Sequence, residues 1–399
     1  MKHKTLHVEN FGPVSNATVE LRSINMLIGE QSVGKSTLAK LITIFTDYLS
    51  LCKLIMGGES MWHNLLKEYN LEIYKDDDYF IAFDMSEDDG RFHIEFRHHE
   101  ISYYLTVGGE TITTPESIVD HILNLRLDKI YHAEEVRKAM QGGENKAILE
   151  VLTNSIYIPA ERIIYSVLTN LMPALALANS TIPKILLRFM VELGNAKSEF
   201  PAFHIQMLDV TFRHEASEDS ILIGPDDRNI PMNAASSGIQ SLVPLLFVLH
   251  YAITKREYSS YVIEEPECNL FPTKQVELLQ YILKAVKHPT RTLTITTHSP
   301  YLLSAMNNML FAGMLIEKYG EGIKPFVDKV MPEAHSLKAS DCSVYSLGEE
   351  INGGDYCRSL MDASTGMIDF NSLDEVSELL AGEFESLQEA AADYMRENR

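Results

Sequence analysis

The sequence predicts an α/β fold: a mixed sheet with an antiparallel N-terminal part, a glycine-rich loop leading into a helix, and a helical insert. Three stretches predict it. "INMLIGEQSVGKST" (Ile24–Thr37) sets an apolar strand, a glycine-rich loop and a helical pattern in succession. "SSYVIEEPE" (Ser259–Glu267) and "RTLTITTHSP" (Arg291–Pro300) are apolar runs that end in charged or polar residues. Strands of a parallel sheet end this way at the edge where ligands bind.

Each element follows in order. "TLHVENFGPVSNATVELRSINMLIGEQ" alternates apolar and polar residues, with turn signals at Gly12-Pro13 and Ser15-Asn16, and reads as two or three strands. "STLAKLITIFTDYLSLCKLI" (Ser36–Ile55) has helical apolar spacing. Residues 77–112 read as an antiparallel meander with turns at Asp89-Gly90 and Gly108-Gly109, and residues 114–140 as helix. "NSIYIPAERIIYSVLTNLM" (Asn154–Met172) reads as a buried strand and a helix; helices continue to residue 200, broken by Pro173 and Pro183. Strands return from Phe203, and "SSGIQSLVPLLFVLHYAIT" (Ser236–Thr254) opens a helix. "NSLDEVSELLAGEFESLQEAAADYMRENR" (Asn371–Arg399) reads as an acidic amphipathic helix, or two around Gly382.

The chain of 399 residues suits one large domain with insertions, or two domains. The predicted spans are 1–56, the first part of the head with the glycine loop; 57–150, a mixed β/α insertion; 151–202, a strand and helical insert; 203–335, the second part of the head; and 336–399, an acidic helical tail. "LMPALALANSTIPKILLRFM" is interrupted by two prolines, Asn179 and Lys184, so no membrane span is expected. "MKHKTLHVEN" has no apolar signal core. Cys52, Cys268, Cys342 and Cys357 lie far apart, which fits a reduced, cytoplasmic protein. The net charge of −22 disfavours nonspecific attraction to nucleic acid or anionic lipid, so nucleic-acid binding would have to be local or delegated to a partner.

Four motifs carry chemistry. Gly29, Gly34, Lys35 and Ser36 complete G-x-x-x-x-G-K-[ST], with Glu30, Gln31, Ser32, Val33 and Thr37 filling the loop. Its backbone N–H groups turn inward on phosphate oxygens, Lys35 reaches the β- and γ-phosphates, and Ser36 ligates Mg²⁺. A chance match in a glycine turn lacks the strand before and the helix after. In "YVIEEPE", Glu264 is placed to hold Mg²⁺, directly or through water, and Glu265 to polarise an attacking water. Alone, that pair would equally suit a solvated acidic turn. His298 ends the next strand, where it can contact a γ-phosphate and sense its loss. Ser236, Ser237, Gly238 and Gln240 begin an apolar helix, either as an anion site or as an ordinary N-cap.

This ordered set resembles the ABC-type ATPase heads, in the soluble branch of RecF, the SMC proteins and the OLD-like and Septu-like ATPases of bacterial anti-phage defence. The likeness covers residues 1–50 and 230–310. "VENFGPVSNATVEL" looks like the start of that branch, which implies that Asn10 and Phe11 lie near the adenine. "EEPECNLFP", with Leu270 and Pro272, resembles its extended carboxylate motif, and "YIPAER" also recurs there. Residues 345–390 resemble the tails of defence-associated members. The resemblance implies two heads sandwiching two ATP molecules, with Ser237 and Gly238 of one completing the γ-phosphate site of the other. Glu264 stands where most relatives place Asp. In place of a Gln-loop glutamine stands Arg162, either a phosphate sensor or a structural ion pair.

The expected function is that of an ATP-binding and hydrolysing sensor or scaffold subunit of an anti-phage system, acting on a separate effector such as a nuclease. Its own second copy is the expected first partner. A RecF- or SMC-like DNA-repair ATPase is the alternative; a transport motor and a nucleotide-binding module without turnover are the further ones. No long coiled coil separates "AERIIYS" from "ASSGIQS". "DCSVYSLGEE" lacks the strand-framed glutamate and D-x-D pair of metal nucleases, and His98-His99 reads as an exposed face.

Overall fold

Strands β1 (His3–Phe11), β2 (Val14–Leu21) and β3 (Ile24–Gly29) lead into the glycine loop, and helix α1 (Lys35–Thr46) follows it directly. The computed structural model describes residues 3–75, 78–87, 90–97, 100–127, 153–168, 182–215, 218–224, 228–256, 258–332, 336–351, 355–369, 382–384 and 386–388. β1 and β2 do not continue into β3's sheet. They pair with each other and, through β1, with the meander β4 (Phe80–Glu87), β5 (Gly90–Arg97), β6 (Glu100–Val107) and β7 (Glu110–Ile112). The result is one antiparallel sheet in the order β2-β1-β4-β5-β6-β7. The meander within 57–150 is therefore laid onto the first segment through the β1–β4 ladder, and residue 56 falls inside helix α2 (Tyr48–Glu68).

The expected single helix after the loop is two. Asp47 adopts an extended conformation and caps α2, accepting from the Ser50 amide at 3.1 Å and the Ser50 hydroxyl at 2.7 Å. A short side chain that competes for backbone N–H groups starts a helix rather than continuing one. Helix α3 (Pro115–Leu127) follows the meander.

The second sheet holds β3. Its order is β16-β15-β3-β14-β13-β8, from β8 (Ser155–Ile158), β13 (Ser260–Glu264), β14 (Thr292–Thr297), β15 (Cys342–Ile351) and β16 (Asp355–Ser359). All neighbours are parallel except the β15–β16 pair. Both faces are buried, so its strands read as continuous apolar runs. Successive residues go to opposite cores: Leu27 and Val262 face the cluster under the antiparallel sheet, while Met26, Ile28, Tyr261 and Ile263 face the helices on the other side. Helix α1, buried on nearly every face, is the filling between the two sheets.

The opposite face is covered by α4 (Ile164–Leu168), α5 (Lys184–Glu199), α6 (Ser237–Tyr251), α7 (Pro272–Val286) and α8 (Pro300–Tyr319), with a short α9 (Lys324–Val327) beyond. A small antiparallel sheet, β12-β11-β10-β9, is made from β9 (Ala202–Ile205), β10 (Val210–Glu215), β11 (Glu218–Ile223) and β12 (Arg228–Pro231). The stretch Ser237–Arg256 is long and apolar enough to cross a membrane, but over half of it is buried in the second core, where a core helix has the same composition.

Residues 336–399 differ from the expected helical tail. Cys342–Ile351 is a strand paired with β3, and Asp355–Ser359 turns back along it. In "CSVYSL" all six residues are buried and none is charged; the acidic composition of the whole span hid it. Of the predicted helix over 371–399, only residues 382–384 and 386–388 are described, and both are helical. His98 and His99 lie outside the described residues.

Candidate functional site

The C-terminal ends of three adjacent parallel strands, β3, β14 and β13, deliver the loop, His298 and the Glu264-Glu265 pair to one edge. The loop needs unusual backbone angles: φ is 141° at Gly29, 67° at Ser32 and 89° at Gly34. Gly34 is also the N-cap of α1, and a Cβ there would lie 2.5 Å from Val14 Cγ2. Any side chain at Gly34 would push the loop off the β1–β2 turn.

Lys35 is buried, 6% exposed. Its ammonium donates back to the loop, to Gly29 O at 2.9 Å and Glu30 O at 2.6 Å, and stands 3.5 Å from His298 Nδ1. Burial lowers its pKa to about 8, against the raising effect of Glu265, Glu267, Glu264 and Glu30. His298 Nε2 lies 2.9 Å from Glu265 Oε1. With a proton on Nε2 donated to that carboxylate, Nδ1 faces the ammonium as an acceptor. Lys35, His298 and Glu265 thus form a continuous polar chain. The His298 contact is the main reason that the Glu265 carboxyl sits below its ordinary range. Cys268 Sγ donates to its other oxygen at 3.3 Å.

Glu264 is 3% exposed, and burial raises its carboxyl above the ordinary range while the Ser36 and Tyr157 hydroxyls pull it down. The Tyr157 hydroxyl is near enough to act on the carboxylate, yet neither it nor Glu264 Oε1 makes a properly formed hydrogen bond. A buried carboxylate oxygen with no partner, beside the Ser36 hydroxyl, fits a hard cation such as Mg²⁺. Among the described residues no group of three or more His, Cys, Asp or Glu side chains is placed to hold a metal. Such an ion would take its remaining ligands from water and phosphate oxygens.

Two residues behind this edge were not singled out, or were read differently, in the sequence. Glu267 accepts from the Thr297 hydroxyl at 2.5 Å and the His298 amide at 2.9 Å, and so fixes the end of β14. Its signal was one more acid in "EEPE", indistinguishable from a solvated one. Arg162, fully buried, is neither of its two expected forms. Its guanidinium donates to backbone carbonyls: Pro159 O at 3.0 Å, Glu264 O at 2.9 Å, Glu265 O at 2.8 Å, Pro266 O at 3.2 Å and Ser241 O at 3.1 Å. It joins the end of β13 to helix α6. Glu265 has φ of 40°, a conformation costing about 1–3 kcal/mol for a non-glycine residue. The Arg162 bond and the bond from the Glu265 amide to Thr296 O, 3.0 Å, hold it there.

The remaining predicted residues are placed as follows. Ser236 caps α6, its hydroxyl accepting from the Ile239 amide at 3.5 Å. Ser237 is exposed at the first turn, and Gly238 lies against the Asn269 backbone. Gln240 is turned into its own chain, donating to Ala235 O at 2.7 Å and Asn233 O at 3.2 Å and accepting from Ser166. Its amide is committed to holding this turn rather than offered to a ligand. Glu30 and Gln31 are exposed and Thr37 is buried behind the loop. Asn10 is exposed with φ of 51°. Phe11 departs from the expected adenine contact. Its ring is fully buried, edge-on to Tyr79 at 5.1 Å and Tyr74 at 5.6 Å and 6.5 Å from Trp62. The left-handed φ of 51° at Asn10 breaks the alternation of β1, so Phe11 joins Leu6 and Val8 on the core side, where burying a ring is worth more than offering it to a base.

A model of the AAA ATPase domain family matches residues 1–149 and 162–303. Among solved structures, the chain is similar to an SMC head domain from Thermotoga maritima, with 15% identity over 76% of this chain and 92% of that one and a TM-score of 0.38. It is similar to an SmcHead bound to the C-winged helix domain of ScpA, with 15% identity over 76% and 91% and a TM-score of 0.38. It is also similar to an Smc head domain with an extended coiled coil, bound to the C-terminal domain of ScpA, derived from Pyrococcus furiosus: 13% identity over 96% and 99%, TM-score 0.41. No curated protein matches the chain.

Proposed function

This chain belongs to the AAA ATPase domain family, and from that premise we propose that it binds ATP with Mg²⁺ and hydrolyses it, using the edge formed by β3, β14 and β13. The observation that carries the reading is the polar chain Lys35–His298–Glu265, beside the orphaned Oε1 of Glu264. ATP would be the substrate that supplies the γ-phosphoryl group, and a bound Mg²⁺ would supply positive charge against the phosphate oxygens. Lys35 exchanges the Gly29 and Glu30 carbonyls for phosphate oxygens, which also stabilises its buried charge. Ser36 and Glu264 would hold the cation. His298 Nε2–H transfers its hydrogen bond from Glu265 to the γ-phosphate. That exchange frees the Glu265 carboxylate, already ionised, to orient the attacking water.

Ser237, exposed at the start of α6, and the backbone of Gly238 beside it complete the site of a second copy. The wider role we propose is that of a sensor or scaffold subunit of an anti-phage system, in the cytoplasm, governing a separate effector such as a nuclease; it rests on the sequence resemblance. A titration of ATP into the purified chain, with and without Mg²⁺, tests the core of the reading. The identity of the protein made by the neighbouring open reading frame, and its co-purification with this chain, tests the wider role. A permease there would overturn it.

A further inference from the structure

The phosphate loop has an outer wall built by a part of the chain that lies beyond residue 303, outside the stretch matched by the family model. At the end of β15 the chain presses on the loop in two places. A Cβ at Gly29 would come within 2.5 Å of Leu347 O, and a Cβ at Gly348, where φ is 88°, within 2.6 Å of Val33 Cγ1. The return strand β16 then carries Tyr356. Its hydroxyl lies 2.8 Å from Val33 O in the loop and 2.6 Å from Pro13 O in the β1–β2 turn. A hydroxyl has one proton, so Tyr356 donates to one of these carbonyls at a time. Donating to Val33 O it ties the loop directly; donating to Pro13 O it holds the β1–β2 turn against which Gly34 packs. Val33 is one of the residues whose backbone orientation aims N–H groups at a phosphate.

We propose that Tyr356 is a positioning residue for the phosphate loop, and that Leu347–Gly348 and Tyr356 together set the loop's affinity for the phosphates of the nucleotide. The proposal rests on the assignment of the Gly29–Thr37 loop as the ATP site. It accounts for a glycine at position 348, since any larger residue would displace Val33. It also makes nucleotide affinity depend on a C-terminal segment far from the loop in sequence. Anything that pulls on β16 would reach the loop through a single hydroxyl.

Tyr356→Phe removes that hydroxyl and keeps the ring. Binding of N-methylanthraniloyl-ATP, competition by tripolyphosphate, steady-state hydrolysis and thermal melting are measured on the full chain and on the variant. We expect the dissociation constants for both phosphate ligands to rise together, about 5- to 10-fold, the range set by loss of one hydrogen bond. KM should rise by a similar factor with kcat within about twofold, since ground-state binding is what is lost. The melting temperature should move by less than about 2 °C. Unchanged phosphate affinity in the variant overturns the proposal. So does a lower kcat with unchanged KM, which marks a smaller folded fraction. If the wild-type chain itself binds neither ligand, the ATP-site reading fails instead.

Discussion

The two features proposed to bind phosphate, the loop at Gly29–Thr37 and the helix start at Ser236–Gly238, are held in opposite ways. The loop is enclosed: Lys35 is buried and faces His298, Glu265 and the loop's own carbonyls. The helix start is presented: Ser237 is exposed, while Gln240 behind it is locked into the chain's own turn. In the proposed function the loop is one half of a site and the exposed helix start is the half presented to a second copy. Arg162 links the two, since it bonds the end of β13 and the carbonyl of Ser241 in α6.

The largest effect expected from breaking the enclosed half is that of Lys35→Ala. It removes the buried charge facing the phosphates, and ATP affinity should fall by about 100-fold or more. Calorimetric titration checks it, and unchanged affinity would dissolve the enclosed half-site. Glu265→Gln should leave ATP binding within about threefold while hydrolysis falls by roughly 100-fold or more. Light scattering should then show ATP-dependent larger assemblies that persist. If Glu264→Gln shows this behaviour and Glu265→Gln does not, the two carboxylates have exchanged roles.

A smaller effect distinguishes the halves by pH. Lys35, with a pKa of about 8, loses its proton as pH rises from 7 to 9, so ATP affinity should fall about tenfold over that range. Its folded pKa lies below the ordinary lysine value of 10.5, so the unfolded chain binds more protons between about pH 8 and 10.5. In the nucleotide-free protein, the cost of burying this ammonium is therefore present at pH 7 and relieved as pH rises through that window. Denaturant unfolding of wild type against Lys35→Met should show the wild type gaining relative stability there. A flat difference across that window would show that the ammonium is solvated.

The sequence made the enclosed half legible because its chemistry is local. A strand, a G-x-x-x-x-G-K-S loop and a helix occupy adjacent residues, and the carboxylate and histidine strands announce themselves by apolar runs with polar ends. The outer wall was not legible. Tyr356 reaches Val33 across the sheet, and nothing in "DYCRS" marks a hydroxyl that bonds a residue so distant. β15 was missed because its uncharged, fully buried core, Cys342–Leu347, sits in an acidic span read as helix. Phe11 was expected at the adenine because of a motif-like "NFG"; the left-handed turn at Asn10, which the alternating pattern does not announce, brings it into the core with Leu6 and Val8. Arg162 was recognisable as important and not as what it is. A guanidinium spent on five backbone carbonyls leaves no pattern in sequence, since any residue supplies a carbonyl.

The central claim is that Lys35 of one copy works with Ser237 of another. Ser237→Arg alone should keep ATP binding within about threefold and lose hydrolysis and ATP-driven association, since the cation sits on an exposed face. Mixing it with Lys35→Ala is the direct test. A mixed pair holds one intact site, Lys35 from one chain with Ser237 from the other, and one doubly defective site. With random pairing, hydrolysis should return to about a quarter of the wild-type rate, from two proteins that are each inactive. Full activity of Ser237→Arg alone, or no recovery in mixtures where mixed pairs are shown to form, would contradict the shared site.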